Sequence, residues 1–118
     1  QHINNVSYAT YIEAARYEFF KTIGGDVRNE LALTKHLHID YLHPATLYDD
    51  LVSLVHVLKL GNSSLEMEIY IANANDHEKV YAKAVVLQIH CCAKTGKVCR
   101  VGDGARAGLK RIGQVDEA

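Results

Sequence analysis

Residues 5–25 read NVSYATYIEAARYEFFKTIGG, and this stretch decides the fold. Ala, Glu, Tyr and Phe dominate it, no proline interrupts it, and Gly24-Gly25 end it as a breaker pair, so it predicts a helix from about Asn5 to Ile23. Tyr8, Ile12, Ala15 and Phe19 fall on one apolar stripe at helical spacing, while Tyr11, Ala14, Tyr17 and Phe20 add a second. A helix apolar around most of its circumference is expected to be buried. After it the period changes. In Leu65-Glu66-Met67-Glu68-Ile69-Tyr70-Ile71 apolar and more polar residues alternate, as on a half-buried strand. Thr34 to Leu42, Asp50 to Leu60 and Lys79 to Cys91 are similarly rich in Val, Leu, Ile or Tyr. Gly61-Asn62-Ser63 and Asn73-Ala74-Asn75-Asp76 supply turns between them. Connections this short require antiparallel neighbours, because a parallel return needs about a dozen residues or more. Asp103 can cap a short final helix through about Ile112, followed by an acidic tail. The expected architecture is α+β, one long central helix wrapped by about four antiparallel strands.

Composition narrows the function classes. With 118 residues the chain is expected to be a single domain spanning positions 1–118. Hydrophobic residues make up 48% and charged residues 23%, the balance of a globular protein. No apolar run approaches the roughly 20 residues of a bilayer span, so no membrane partner is expected. The 13 basic and 14 acidic residues give a net charge of −1, without the basic footprint of a nucleic-acid binder. Cys91, Cys92 and Cys99 form no C-x-x-C pair and suit reduced thiols, which points to the cytoplasm. A sheet of this kind leaves an edge exposed unless a second subunit covers or extends it, so a homodimer or homotetramer is expected.

The run QHINNVSYATYIEAARYEFF, residues 1–20, resembles the start of the hotdog-fold acyl-CoA and acyl-carrier-protein thioesterases of the 4-hydroxybenzoyl-CoA thioesterase-like branch. The branch's motif runs Asp-x-x-Gly-His-x-Asn-Asn-x-x-Tyr and then Tyr-x-x-x-(Ala)-Arg. His2, Asn4, Asn5, Tyr8, Tyr11, Ala15 and Arg16 match it. The segments IDYLHPATLYDDL, LGNSSLEMEI and AKAVVLQIHCCAKTGKVCRV resemble the family's later strands and turns in the same order, so the likeness covers nearly the whole chain. It implies a hotdog fold with its first strand missing. In the family a strand and the catalytic aspartate precede this motif, and both would lie upstream of Gln1. The family's glycine is replaced by Gln1, as in the plant acyl-carrier-protein thioesterases.

Thioester hydrolysis needs a carboxylate to attack the carbonyl or activate water, and donors aimed at the developing oxyanion. A helix N-terminus offers unpaired N–H groups and positive dipole character, so the amides near Asn5 to Ser7 are candidate donors. His2 and Asn4 would flank that point, although Asn4 is equally a favoured helix cap. The resemblance implies that Asn5, Val6, Tyr8, Tyr11 and Ile12 bind substrate, the last three lining the acyl pocket. Glu13, a carboxylate on an otherwise apolar helix, needs a reason to be there. A second branch of hotdog thioesterases carries its catalytic acid near this place, but pairing with Arg16 at i+3, or with Lys21, accounts for Glu13 more simply.

Other polar clusters weigh less. His36, His38 and Asp40 share a strand face but offer no further ligand, so no metal is expected. Cys91 and Cys92 must point to opposite faces, and His56 and His90 read as polar sheet residues. GDGARAG, residues 102–108, lacks the third glycine and the βαβ unit of a dinucleotide loop. Asp49 and Asp50 read as a turn and strand entry. Lys59, Lys94, Lys97 and Arg100 are candidates for a CoA or carrier-protein arm by position alone. The expectation is therefore an acyl thioesterase acting on acyl-CoA or acyl-carrier-protein thioesters, without metal or organic cofactor. The competing expectation is a non-catalytic acyl-thioester binding or structural oligomer on the same fold.

Overall fold

The computed structural model describes residues 2–116. Gln1 and the last two residues of the acidic tail lie outside the described residues. Helix α1 (Asn5–Thr22) comes first, then strands β1 (Glu30–Tyr41), β2 (Leu51–Leu60), β3 (Ser64–Asn73) and β4 (Asp76–Cys92), and finally helix α2 (Asp103–Arg111). The strands form one antiparallel sheet in the order β1-β4-β3-β2. The α+β expectation holds, with an antiparallel sheet curved against one long helix.

Alternation builds the core. Leu65, Met67, Ile69 and Ile71 of β3 and Ala82, Ala84 and Val86 of β4 point inward and are buried, against Tyr8, Ile12, Phe20 and Ile23 from the helix side. Full burial of each large apolar side chain contributes roughly 1.5–3 kcal/mol. The helix is not covered all round, as its two apolar stripes suggested. Its buried residues are Tyr8, Ile12 and Phe20, whereas Val6, Tyr11 and Tyr17 are exposed, because four strands cover only one side of a cylinder.

Two strands run further than their patterns indicated. β1 starts at Glu30 rather than Thr34, since Glu30-Leu31-Ala32-Leu33 has little strand propensity yet pairs in register with Ile89 to Cys92. β4 starts at Asp76 rather than Lys79, where the ladder with β3 continues through polar residues to the turn at Ala74-Asn75. A bulge between Thr34 and His36 then resets which β1 side chains face inward.

The GDGARAG segment has a packing role. Gly104 and Gly108, one turn apart on α2, lie against the carbonyls of Gly24 and Ile23, where an added Cβ would collide with backbone. α2 is also held by buried Arg106, which donates to the carbonyls of Val101 at 2.8 Å, Gly61 at 2.8 Å and Asn62 at 2.9 Å. The glycines thus let two backbones touch. Gly108→Ala is expected to lower stability by about 1–3 kcal/mol or more, as read from a denaturant midpoint.

At the α2 end of the sheet sits a buried polar set. His90 is fully buried, its Nδ1 meets the Glu30 carboxylate, its Nε2 meets Gln88 at 2.9 Å, and its ring packs edge-on against Phe20. Burial pushes the imidazole pKa down against the pull of Glu30. The unfolded chain therefore takes up a proton that the folded chain refuses once the pH falls below the ordinary imidazole value of about 6.5. Stability should fall on acidification below that point. His90→Gln is expected to destabilise the fold at every pH but to flatten the slope between about pH 6.5 and 5, which urea unfolding at several pH values measures.

Candidate functional site

The N-terminus of α1 is fixed before the helix begins. His2 forms an antiparallel bridge with Thr46, and the Ile3 amide donates to the Ala45 carbonyl at 2.9 Å. Asp49 secures the other side of that contact, accepting from the Thr46 amide at 2.8 Å and its hydroxyl at 3.2 Å. The Thr46 amide is the main reason its carboxyl sits below the usual range. Asp49 is thus the turn residue expected, and its turn sets where the helix starts.

Asn4 is the N-cap, in extended backbone, with its Oδ1 accepting from the Ser7 amide at 3.0 Å. The first amides of a helix have no partner within it. Asn4 takes the one from Ser7, so of the amides from Asn5 to Ser7 those of Asn5 and Val6 have no partner among the described residues. The capping reading of Asn4 and the donor reading of the helix start are therefore compatible. Asn4 spends its oxygen on the cap, and its amide nitrogen, on an exposed side chain, has no partner among the described residues. His2 is exposed beside it.

Two hollows flank this point and share Ile3. The smaller, about 240 Å³, is lined by Ile3, Asn5, Tyr8, Tyr41, Leu42, His43 and Pro44. The larger, about 590 Å³, lies between α1 and the start of β2, with Tyr11, Ala15 and Leu51 among its apolar walls and Glu18, Asp49 and Asp50 at its rim. Tyr8 and Tyr11, expected in one acyl pocket, thus line different hollows, and Ile12 lies in the closed core with no exposure. Val6, by contrast, is 76% exposed. Among the described residues no carboxylate lines the smaller hollow.

Glu13 lies farther along the helix and is fully engaged. It accepts from Arg16 Nε at 2.9 Å and Nη2 at 2.7 Å, and from the Thr34 hydroxyl at 2.7 Å. Arg16 in turn donates to the Ala32 carbonyl at 2.6 Å, tying helix to β1. Burial raises the Glu13 pKa, but the Arg16 and Thr34 hydrogen bonds together outweigh it and hold the carboxyl below its ordinary value. The partner is Arg16 rather than Lys21. Glu13→Ala is expected to cost roughly 1–3 kcal/mol of stability by stranding Arg16, and thermal unfolding beside Arg16→Ala and the double variant would show that the two losses are not additive.

The basic candidates sit elsewhere. Lys94, Lys97 and Arg100 follow the end of β4, which pairs with the start of β1 through Glu30 and Cys92, whereas the helix start lies beside the end of β1. β1 has 12 residues, and at about 3.3 Å per residue such a strand spans nearly 40 Å. Lys59 is also at the far end, next to Leu60. Lys79, which sequence reasoning passed over, is at the near end, where it stacks over Tyr81 at 5.6 Å and lowers the Asp49 pKa. His36, His38 and Asp40 share the outer face, with His38 Nε2 3.0 Å from Asp40, and no group of three metal-ligating side chains occurs among the described residues.

The residues missed were those of the 41–46 connection. Leu42, His43 and Pro44 close the smaller hollow, and the His43 and Leu42 amides bond back to the Tyr81 carbonyl at 3.2 and 2.9 Å. Pro44, the chain's single proline, was the available sign that this connection is a shaped loop.

The profile of the thioesterase superfamily matches residues 1–80. The chain belongs to the thioesterase superfamily. Solved structures agree on the fold. A protein of Pseudomonas aeruginosa strain PAO1 superposes with a TM-score of 0.85 at 19% identity, over 99% of this chain and 82% of that one. A thioesterase from Thermus thermophilus, complexed with coenzyme A and Zn, gives 0.75 at 24% identity, over 94% and 80%. A 1,4-dihydroxy-2-naphthoyl-CoA thioesterase from Synechocystis gives 0.76 at 11% identity, over 92% and 82%. No curated protein matches the chain significantly. Among the described residues no helix of this superfamily member is long and apolar enough to cross a membrane.

Proposed function

We propose that this thioesterase-superfamily chain hydrolyses acyl-CoA thioesters at the N-terminus of α1. The observation that carries the reading is the pair of open amides, Asn5 and Val6, beside a small, mostly apolar hollow. An acyl group fits such a hollow, and a thioester carbonyl oxygen placed at the helix start would accept from both amides. Charge developing on that oxygen during attack is then met by fixed donors and the positive end of the helix dipole. The Asn4 amide nitrogen and the His2 imidazole flank the thioester and orient it. The ion-paired Glu13 acts as a positioning residue that locks α1 onto β1. Coenzyme A is favoured over a carrier protein because the Thermus thermophilus relative is complexed with it and the Synechocystis relative is named for a CoA thioester. Lys79, at the same end of the sheet, is the candidate contact for the nucleotide phosphates.

The assembly proposed is a homodimer or a homotetramer in the cytoplasm, with the site at the subunit interface. The unpaired β1 edge carries exposed Leu31, Leu33, Leu37 and Tyr41, which a second copy would cover. A second reading has its own observation. Because the smaller hollow holds no carboxylate among its lining residues, binding of the acyl thioester without hydrolysis is the alternative.

The test is thiol release from a panel of aliphatic and aromatic acyl-CoAs, paired with calorimetric binding of their non-hydrolysable thioether analogues. Turnover supports the enzyme, binding without turnover supports the alternative, and neither would contradict both. Asn5→Pro removes one open amide at the first helical position, where proline is tolerated and the preceding Asn4 is already extended. It is expected to lower kcat by about 100-fold or more, whereas Asn5→Ala, which keeps the amide, should change kcat by less than about tenfold.

A further inference from the structure

We propose that the outer face of the sheet docks a second copy of this chain, β4 along β4, with His36 and His38 of each copy meeting Glu66 and Glu68 of the other. The inference does not depend on the thioesterase reading, and the surface is distinct from the β1 edge.

The argument starts from what covers each side of the sheet. Tyr8, Ile12 and Phe20 of α1 and Ala105 and Leu109 of α2 share one core with the inward residues of β3 and β4, so both helices lie on the inner side. Side chains alternate along a strand, so Val85, Leu87 and Ile89 of β4, set between buried Ala84, Val86, Gln88 and His90, point the other way. β4 is a central strand, and these three are half-buried by their neighbours in the sheet. Among the described residues no helix covers them. An uncovered apolar stripe rimmed by polar residues marks a docking surface.

Register then selects the partner. Leu87 pairs with His36 of β1 on one side and with Glu66 of β3 on the other, and Val85 pairs with His38 and Glu68 in the same way. The face thus carries imidazoles on one flank of the stripe and carboxylates on the other, at matching levels. A two-fold axis lying along β4 carries β1 of one copy over β3 of the other without a change of level. His36 then comes over Glu66 and His38 over Glu68, twice each, while the apolar stripe packs on itself. In the next row, through Lys83, Asp40 comes over Tyr70. An axis across the strands would stack imidazoles on imidazoles and carboxylates on carboxylates. Two sheets aligned face to face about 10 Å apart are an ordinary packing.

The charges within one copy leave this pairing open. Glu68 accepts from Lys83 at 3.1 Å and His38 meets Asp40 at 3.0 Å, but neither His36 nor Glu66 has a side-chain partner among the described residues. The other charged or titratable groups around them are Lys35 at the β1 bulge, and Lys59 and His56 of β2, opposite Glu66 and Glu68. Histidine changes charge between about pH 5 and 8, whereas carboxylates stay ionised over most of that range. Acidification from pH 8 to 6 therefore adds positive charge opposite Glu66 and Glu68. Each such pair contributes little alone, but the symmetry supplies four.

Sedimentation equilibrium of the whole chain at pH 8 and pH 6 tests this, with the fold of each variant checked by circular dichroism. The wild type is expected to self-associate, with a dissociation constant about threefold or more tighter at pH 6. Leu87→Arg puts a charge in the stripe without touching the core, and should break the contact and halve the mass of the assembly. His36→Gln should keep the association at pH 8 and lose most of its pH dependence. Glu66→His should cancel or reverse that dependence, because His36 then faces an imidazole, and adding His36→Glu should restore it. A chain that is monomeric at both pH values would overturn the proposal. So would a folded Leu87→Arg variant of unchanged mass, or an association that is level or looser at pH 6. If Leu87→Arg does not fold, the other variants decide, and the same pH response in Glu66→His with and without His36→Glu would overturn the proposal. None of these outcomes touches acyl-CoA turnover, which is read separately.

Discussion

Ile12 has no solvent exposure, and neither do Leu65, Met67 and Ile69 on the sheet beneath it. This contact gives α1 one seat, and the position of everything around the helix start follows from it. A stripe from Tyr8 through Ile12 to Phe20 and Ile23 fills the concave side of β3 and β4, so rotation of the helix would bring Tyr11 or Tyr17 into a space already shaped for Ile12. The Glu13–Arg16–Thr34 contact and the Arg16 bond to Ala32 then fix the helix relative to β1. At its C-terminal end the backbone of α2 presses on Ile23 and Gly24. At its N-terminal end the His2–Thr46 bridge and the Asn4 cap define which amides face outward.

What results is a helix start that is polar, rigid and open, set between two hollows divided by Ile3. A site on regular elements is held more firmly than one on loops. The loop that does take part, residues 41–46, is pinned by backbone bonds to Tyr81 and Ile3 and by the Asp49 turn. Electrostatics add to the placement, since the dipole end favours a partly negative oxygen and Lys79 stands at the same end of the sheet.

Much of this was legible in the sequence because it obeys simple periods. The 3.6 spacing of Tyr8, Ile12 and Phe19, the period of two from Leu65 to Ile71, and the Gly24-Gly25 stop gave the helix, the central strand and their order. Glu30 to Leu33 was not legible as strand, because tertiary pairing with β4 and the Glu30–His90 contact override weak local propensity. The exposure of Tyr17 could not be read either, since periodicity tells which residues are apolar and not how many strands will cover them. At the candidate site, the Asn4 cap was legible from its residue type before the helix and the Glu13–Arg16 pair from the i+3 spacing. The separation of Tyr8 from Tyr11 was not, because it depends on Ile3 standing between two hollows. The distance of Lys94, Lys97 and Arg100 from the helix start follows only from strand order.

The central claim is that the open amides of Asn5 and Val6 receive the acyl thioester. Its most direct test is a titration of ¹⁵N-labelled protein with a thioether analogue of an acyl-CoA, followed by amide chemical shifts. The largest perturbations are expected on the Asn5 and Val6 amides, with smaller ones at Tyr8 and along the 41–45 connection. Saturable binding that leaves these amides unmoved, with the shifts gathered instead around Leu51 to Ser53 and Ala15, would place the ligand in the larger hollow and contradict it.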